Sequence, residues 1–135
     1  MSGSEDKSVQ IWDASTGVEL MELKGHSSWV NSVAFSSDGT QIVSGSFDGS
    51  ARVWDASTVV KELKDLMGLV FSFAFSSDGT QVVSGLDNNS VQVWDVLTGV
   101  ELKELKGHTK SVNSVAFSSD GTRIMSGSYD NSVWV

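Results

Sequence analysis

The chain has 135 residues, 39% of them hydrophobic, which suits one globular domain and excludes a disordered tail. It has no cysteine, so disulfides, thiolate chemistry and cysteine-based zinc sites are excluded by composition. A formal net charge of -8, with nine Lys and Arg scattered along the chain, would repel a phosphate backbone, so nucleic acid is not an expected partner.

In chain order, the N-terminal "MSGSEDKSVQ" lacks the basic and apolar regions of a secretory signal, and no later run approaches the roughly 18 apolar residues of a membrane span. The expected setting is cytoplasmic, with no membrane partner. "SVQIWD" and "VELMELKG" follow, separated by "STG", and read as two short strands. "VELKELKG", a later relative of the second, has helical propensity but is too short before its Gly to stand as a helix. "VNSVAFS" and "TQIVSGS" alternate or run apolar with Val, Ile and Phe enriched, and "SSDGT" between them carries the Asp-Gly pair of a tight hairpin. "SARVWDA" comes after "FDG", giving four short strands per unit, each bounded by a Gly-containing turn. No segment shows a sustained helical period with caps.

This unit recurs. "SVAFSSDGTQIVSGSFDGSARVWDAST" at Ser32 to Thr58 returns as "SFAFSSDGTQVVSGLDNNSVQVWDVLT" at Ser72 to Thr98 and as "SVAFSSDGTRIMSGSYDNSVWV" at Ser114 to Val135. Phe35, Phe75 and Phe117 are separated by 40 and 42 residues, and Trp12, Trp54 and Trp94 by 42 and 40. A period of this size built of short strands marks a repeat architecture.

The pairs Gly25-His26 and Gly107-His108, the pairs Trp12-Asp13, Trp54-Asp55 and Trp94-Asp95, and the period together resemble the WD-repeat β-propellers over the whole chain. The wording of the repeats looks most like the tandem repeats of fungal NACHT-type NTPases of the incompatibility class, although no NTPase segment is present. The resemblance implies an all-β fold of four-stranded blades, each with an internal set of His, Ser, Asp and Trp linked by hydrogen bonds. His26, Ser44, Asp48 and Trp54 match that set completely. The next repeat departs from it, with Asp65 and Leu66 in place of Gly-His and Asn88 in place of the turn Asp, and is expected to lean on apolar packing. The last repeat has His108, Ser126 and Asp130 but stops before its Trp, and Trp12 is the unused one.

The implied division is residues 1–24 as the third and fourth strands of a split blade, 25–64 and 65–106 as full blades, and 107–135 as first, second and truncated third strands. Three repeats do not close a ring, since propellers typically have about four to eight blades. The expected assembly is therefore a homo-oligomer in which copies complete each other's split blade, as a dimer with six blades or a trimer with nine. Ser8 to Ile11 and Ser132 to Val135 compete for the shared third strand, and the N-terminal copy is favoured because it carries Trp12.

No catalytic or metal-binding residues and no cofactor are expected. Two His and many turn carboxylates are explained by blade architecture; "SSDGT" lacks the further oxygen ligands of a calcium loop, and "SGSFDGS" lacks the Lys and context of a phosphate loop. Asn88-Asn89-Ser90 fits a glycosylation sequon by accident in a chain without a secretory signal. The face formed by the loops before the first strand and between the second and third strands is where the repeats differ. It carries Trp29, Asn31, Leu69, Phe71 and Asn113 at the first, and Phe47, Asp87 and Tyr129 at the second. Exposed aromatic residues there suit a non-enzymatic recognition or scaffold module that binds a protein or peptide. The competing role for Trp29 and Phe71 is packing between blades. Alternatives are a small-molecule or glycan binder in the central channel, using Asn31, Asn113 and Ser114, and a part of a larger fungal NACHT-type signalling protein. An enzyme would need clustered carboxylates or His on the first strands, which "WVNSVAFS", "LVFSFAFS" and "SVNSVAFS" do not offer.

Overall fold

The hairpins form because their turns satisfy themselves. In the computed structural model, which describes residues 2–55, 58–63, 66 and 68–135, Ser36 N donates to Gln41 O at 2.9 Å. Asp38 Oδ1 accepts from Ser36 Oγ, Thr40 N and Thr40 Oγ1 at 2.7, 2.9 and 2.8 Å. Gly39 adopts φ 72°, a left-handed conformation that glycine takes without steric cost. Asp78 and Asp120 repeat the arrangement. The hydroxyl and amide donors hold these three carboxyls at about 2, so "SSDGT" spends its carboxylate on its own turn.

The all-β expectation is met: the described residues contain strands and turns but no helix. The strands are β1 (Ser2–Gly3), β2 (Ser8–Trp12), β3 (Glu19–Lys24), β4 (Val30–Phe35), β5 (Gln41–Ser46), β6 (Ala51–Asp55) and β7 (Thr58–Glu62). They continue as β8 (Val70–Phe75), β9 (Gln81–Leu86), β10 (Val91–Asp95), β11 (Glu101–Leu105), β12 (Val112–Phe117), β13 (Ile124–Ser128) and β14 (Val133–Trp134). They form antiparallel sheets in the orders β1-β2-β3, β4-β5-β6-β7, β8-β9-β10-β11 and β12-β13-β14. Residues 1–24 thus differ from the reading as third and fourth strands alone, because Ser2 and Gly3 pair with Gln10 and Val9. The expectation placed on Asp65 lies outside the described residues.

The sheets stack through their first strands. β4 lies beside β8 and β8 beside β12, with ends in register: Asn31 Nδ2 donates to Val70 O, and Val115 N donates to Ser72 Oγ at 3.4 Å. Close stacking is possible because the second strand carries a glycine where the next sheet arrives. A Cβ on Gly85 would lie 2.9 Å from both Val112 Cγ1 and Val112 O, and one on Gly45 would lie 2.7 Å from the Phe73 ring. The joints hold the core. Val43, Val53, Val70, Phe73, Val82 and Trp94 fill one; Val9, Leu23, Val30, Ile42 and Trp54 fill a second; Val83, Val93, Val112 and Val115 fill a third. Burying these side chains stabilises by about 1.5–3 kcal/mol each, so joints rather than single sheets carry the stability.

Candidate functional site

The network implied for the sheet β4–β7 is built from side chains whose strands fix them. A register shift between Val53 and Trp54 against β7 marks a bulge at the tryptophan, and the indole is 1% exposed. Trp54 Nε1 donates to Ser44 Oγ at 2.8 Å, and Ser44 Oγ lies 2.8 Å from His26 Nε2. His26 Nδ1 lies 2.9 Å from Asp48 Oδ2. A neutral ring gives one consistent proton order: indole N–H to Ser44, Ser44 O–H to Nε2, and Nδ1–H to Asp48. Burial lowers the imidazole's affinity for a second proton more than Asp48 raises it, so His26 sits below the ordinary value. Burial opposes ionisation of Asp48, yet bonds from Ser50 Oγ, Ser27 N, His26 and Ser50 N outweigh it and hold the carboxyl well below the usual range. Sequence reasoning missed Ser50, which bonds Asp48 Oδ1 through N and Oγ at 2.8 and 2.6 Å. The recurring Asp-x-Ser and Asn-x-Ser spacing was its signal.

The sheet β8–β11 keeps half of this network. Trp94 Nε1 donates to Ser84 Oγ at 3.0 Å, and the Ser84 hydroxyl turns to Gln92 O at 3.4 Å. Leu66 packs against the apolar joint where His26 stands in the preceding sheet. Asn88 Oδ1 holds Ser90 N and Oγ at 3.1 and 2.7 Å.

In the sheet β12–β14, His108 reaches Asp130 and Ser126 at 2.8 Å each. The ring that covers His108 is Trp134, at 5.3 Å between centroids, and its Nε1 donates to Ser132 Oγ at 2.9 Å rather than to Ser126. Trp12, in β2, is 40% exposed against 1% and 0% for Trp54 and Trp94. The set His108, Ser126 and Asp130 is expected to receive Trp12 from another copy of the chain.

The rim residues divide into two groups. Phe47 N bonds Trp29 O at 2.9 Å, Asp87 N bonds Leu69 O at 3.0 Å and Tyr129 N bonds Ser111 O at 3.1 Å, so the two loops meet at the same end of each sheet. Trp29 and Phe47 form an edge-to-face pair at 6.0 Å while remaining 49% and 42% exposed. Tyr129 is exposed at the position of Phe47, and Phe71 at that of Asn31. Asn31, Phe71 and Asn113 each fall at a register shift in the first strand, a bulge that no residue pattern announced. Asn31 is half-buried and committed to Val70, with its Oδ1 buried and unpaired, whereas Asn113 and Ser114 are exposed. Leu69 is half-buried. Asp87, exposed at the rim, also caps Leu69 N through its Oδ1 at 2.9 Å, in the space left by Gly68. Among the described residues no group of three His, Asp or Glu converges to hold a metal.

The family model "WD domain, G-beta repeat" matches residues 17–55, 60–95 and 99–135. The chain belongs to the WD-repeat family. A 43-residue stretch is 51% identical to the nuclear distribution protein PAC1 of Arthroderma benhamiae, covering 32% of this chain and 9% of the relative. The PAC1 of Trichophyton verrucosum matches with the same identity and coverage. The chain thus spans under a tenth of the length of these curated fungal relatives. Within its WD repeats, the matched stretches contain both histidine networks and all four aromatic side chains of the rim.

Proposed function

We propose that the chain is a non-enzymatic recognition or scaffold module that binds a protein or peptide on the rim of Trp29, Phe47, Phe71 and Tyr129. The observation that carries this is the Trp29–Phe47 pair, two large aromatic side chains held edge to face yet close to half exposed. Leaving such area in water costs stability unless a partner covers it, and rigid aromatic anchors lose little entropy on binding. The net charge of -8 favours a cationic partner through long-range attraction. Asn113 adds an exposed polar contact beside the anchors. WD-repeat membership supports an interaction role. The kinship to fungal NACHT-type proteins belongs to this proposal and rests on the wording of the repeats.

A displayed peptide library selected on the 135-residue chain tests the reading. Enriched peptides should pair apolar anchors with Lys or Arg, and should bind Trp29→Ala, Phe71→Ala or Tyr129→Ala variants more weakly by over about 1 kcal/mol, as hot spots do. Selection of peptides insensitive to all three substitutions, in variants that remain folded, would refute it.

A further inference from the structure

Two surfaces at opposite ends of the stack are complementary in repeat position. On β12–β14, a hollow of about 150 Å³ is lined by Val91, Leu105, His108, Ile124, Ser126 and Trp134. Its Ser126, Ile124 and His108 stand where Ser44, Ile42 and His26 surround Trp54 in the β4–β7 sheet. At the other end, β2 carries Trp12, an indole of the same repeat position, 40% exposed. We propose that a second copy of this chain docks its β2–β3 against β13, and that its Trp12 fills the hollow and bonds Ser126.

The register supports one specific fit. Within the chain, β5 and β6 pair as Gly45 with Ala51, Ser44 with Arg52, Val43 with Val53 and Ile42 with Trp54. The corresponding pairs between copies are Gly127 with Val9, Ser126 with Gln10, Met125 with Ile11 and Ile124 with Trp12. Among the described residues only the first two positions are now occupied, and at both ends by a two-residue piece. Val133 and Trp134 pair with Gly127 and Ser126 on β13, while Gly3 and Ser2 pair with Val9 and Gln10 on β2. Each piece holds the place of the incoming strand. Exchanging them gives up two short pairings and gains a full-length one that covers Met125, now 48% exposed, as well as Trp12.

The fit extends to the next joint. Gly45 and Gly85 are the points where Phe73 and Val112 of the following sheet press in, but a Cβ on Gly127 would meet only Ser114 and Asn113, at 3.7 and 3.8 Å. In the docked pair, Gly127 takes the place of Gly3 and faces Val30 of the second copy, whose N now bonds Ser4 O at 3.1 Å. The contact is head-to-tail, so it propagates until it closes. Two copies with two full sheets and one shared sheet each make six sheets, inside the range of about four to eight for closed rings.

Sedimentation equilibrium of the 135-residue chain should give twice its mass of 14.4 kDa; three times that mass also supports the contact and changes only the ring size. Trp12→Ala should weaken association by more than about tenfold. Gly127→Ala should do the same while leaving the far-ultraviolet spectrum unchanged, which decides the matter if Trp12→Ala fails to fold. In the cysteine-free chain, an Ile11→Cys, Met125→Cys double variant should give disulfide-linked chains on a non-reducing gel. A monomeric mass, an oligomer indifferent to Gly127→Ala, or a disulfide formed only within one chain would overturn the proposal and leave the β13 edge to a different occupant.

Discussion

Trp94 Nε1 donates a hydrogen bond to Ser84 Oγ at 3.0 Å in a sheet whose His position is filled by Leu66. The link from tryptophan to serine therefore does not depend on a histidine behind it, and the two sheets give different answers to the same substitution. Ser44→Ala strips a partner from both Trp54 Nε1 and His26 Nε2, while Ser84→Ala strips one from Trp94 and gives up only the long 3.4 Å contact to Gln92 O. With about 1–3 kcal/mol for each buried polar group left unpaired, Ser44→Ala should cost roughly twice as much as Ser84→Ala in urea unfolding. His26→Leu should cost a few kcal/mol, since Ser44 and Asp48 both lose it. Equal costs for the two serines would show that the His26 network contributes nothing beyond the indole bond.

The same network makes stability fall on mild acidification. His26 has a folded-state value below its ordinary 6.5, so between the two values the unfolded chain binds the extra proton and the folded chain does not. Its contribution is complete above the ordinary value and declines as the pH drops from there through the depressed one. Asp48 acts lower down: its contribution persists until the pH passes below 3.8 and fades through its own depressed value. The stability gap between the parent chain and His26→Asn should narrow as the pH goes from about 7 to about 5 in denaturant titrations. A gap that widens on acidification would mean that the folded state holds a charged imidazole.

Lys7 has φ 73°, as Asn89 and Asn131 have 74° and 69° and Gly49 has 81° at the same turn position. A side chain with a Cβ pays about 1–2 kcal/mol for this conformation, less for Asn, and glycine avoids it. Lys7→Gly should raise the midpoint of unfolding by the equivalent of about 0.5–1 kcal/mol, or loosen β1 alone if that strand opens before the rest. Hydrogen exchange at Val30, whose N bonds Ser4 O, separates the two.

At the rim, Asp87→Ala and Tyr129→Ala should part company. The first removes the cap on Leu69 N and should cost about 1 kcal/mol of stability, whereas the second removes a side chain that is 59% exposed and should stay within about 0.5 kcal/mol. Thermal unfolding of the two variants side by side provides the comparison.

Much of the fold was legible because its devices are local. The Asp-Gly turns, the two-residue alternation and the spacing of Trp12, Trp54 and Trp94 each act within a few residues and recur. The members of the His26 network were legible because the repeat fixes their spacing. What escaped depends on register and on contacts across sheets. The bulges at Asn31, Phe71 and Asn113 follow from hydrogen-bond pairing, which no residue type encodes. The cap that Asp87 places on Leu69 N escaped because it joins two loops eighteen positions apart and needs the small Gly68 beside it. Trp134 was passed over because it falls two residues short of the tryptophan position, yet it reaches the face of His108.

The missing side chains of Gly45 and Gly85 also have a geometric meaning. Sheets joined in this way are wedges, and the angle of each wedge is set by how near the inner strand of one comes to the second strand of the last. A methyl group at either position would push the inner edges apart without touching the outer strands, flattening the fan. The angle between neighbouring sheets is thus written as an absence of atoms at one recurring position, and a single carbon added there would open the joint.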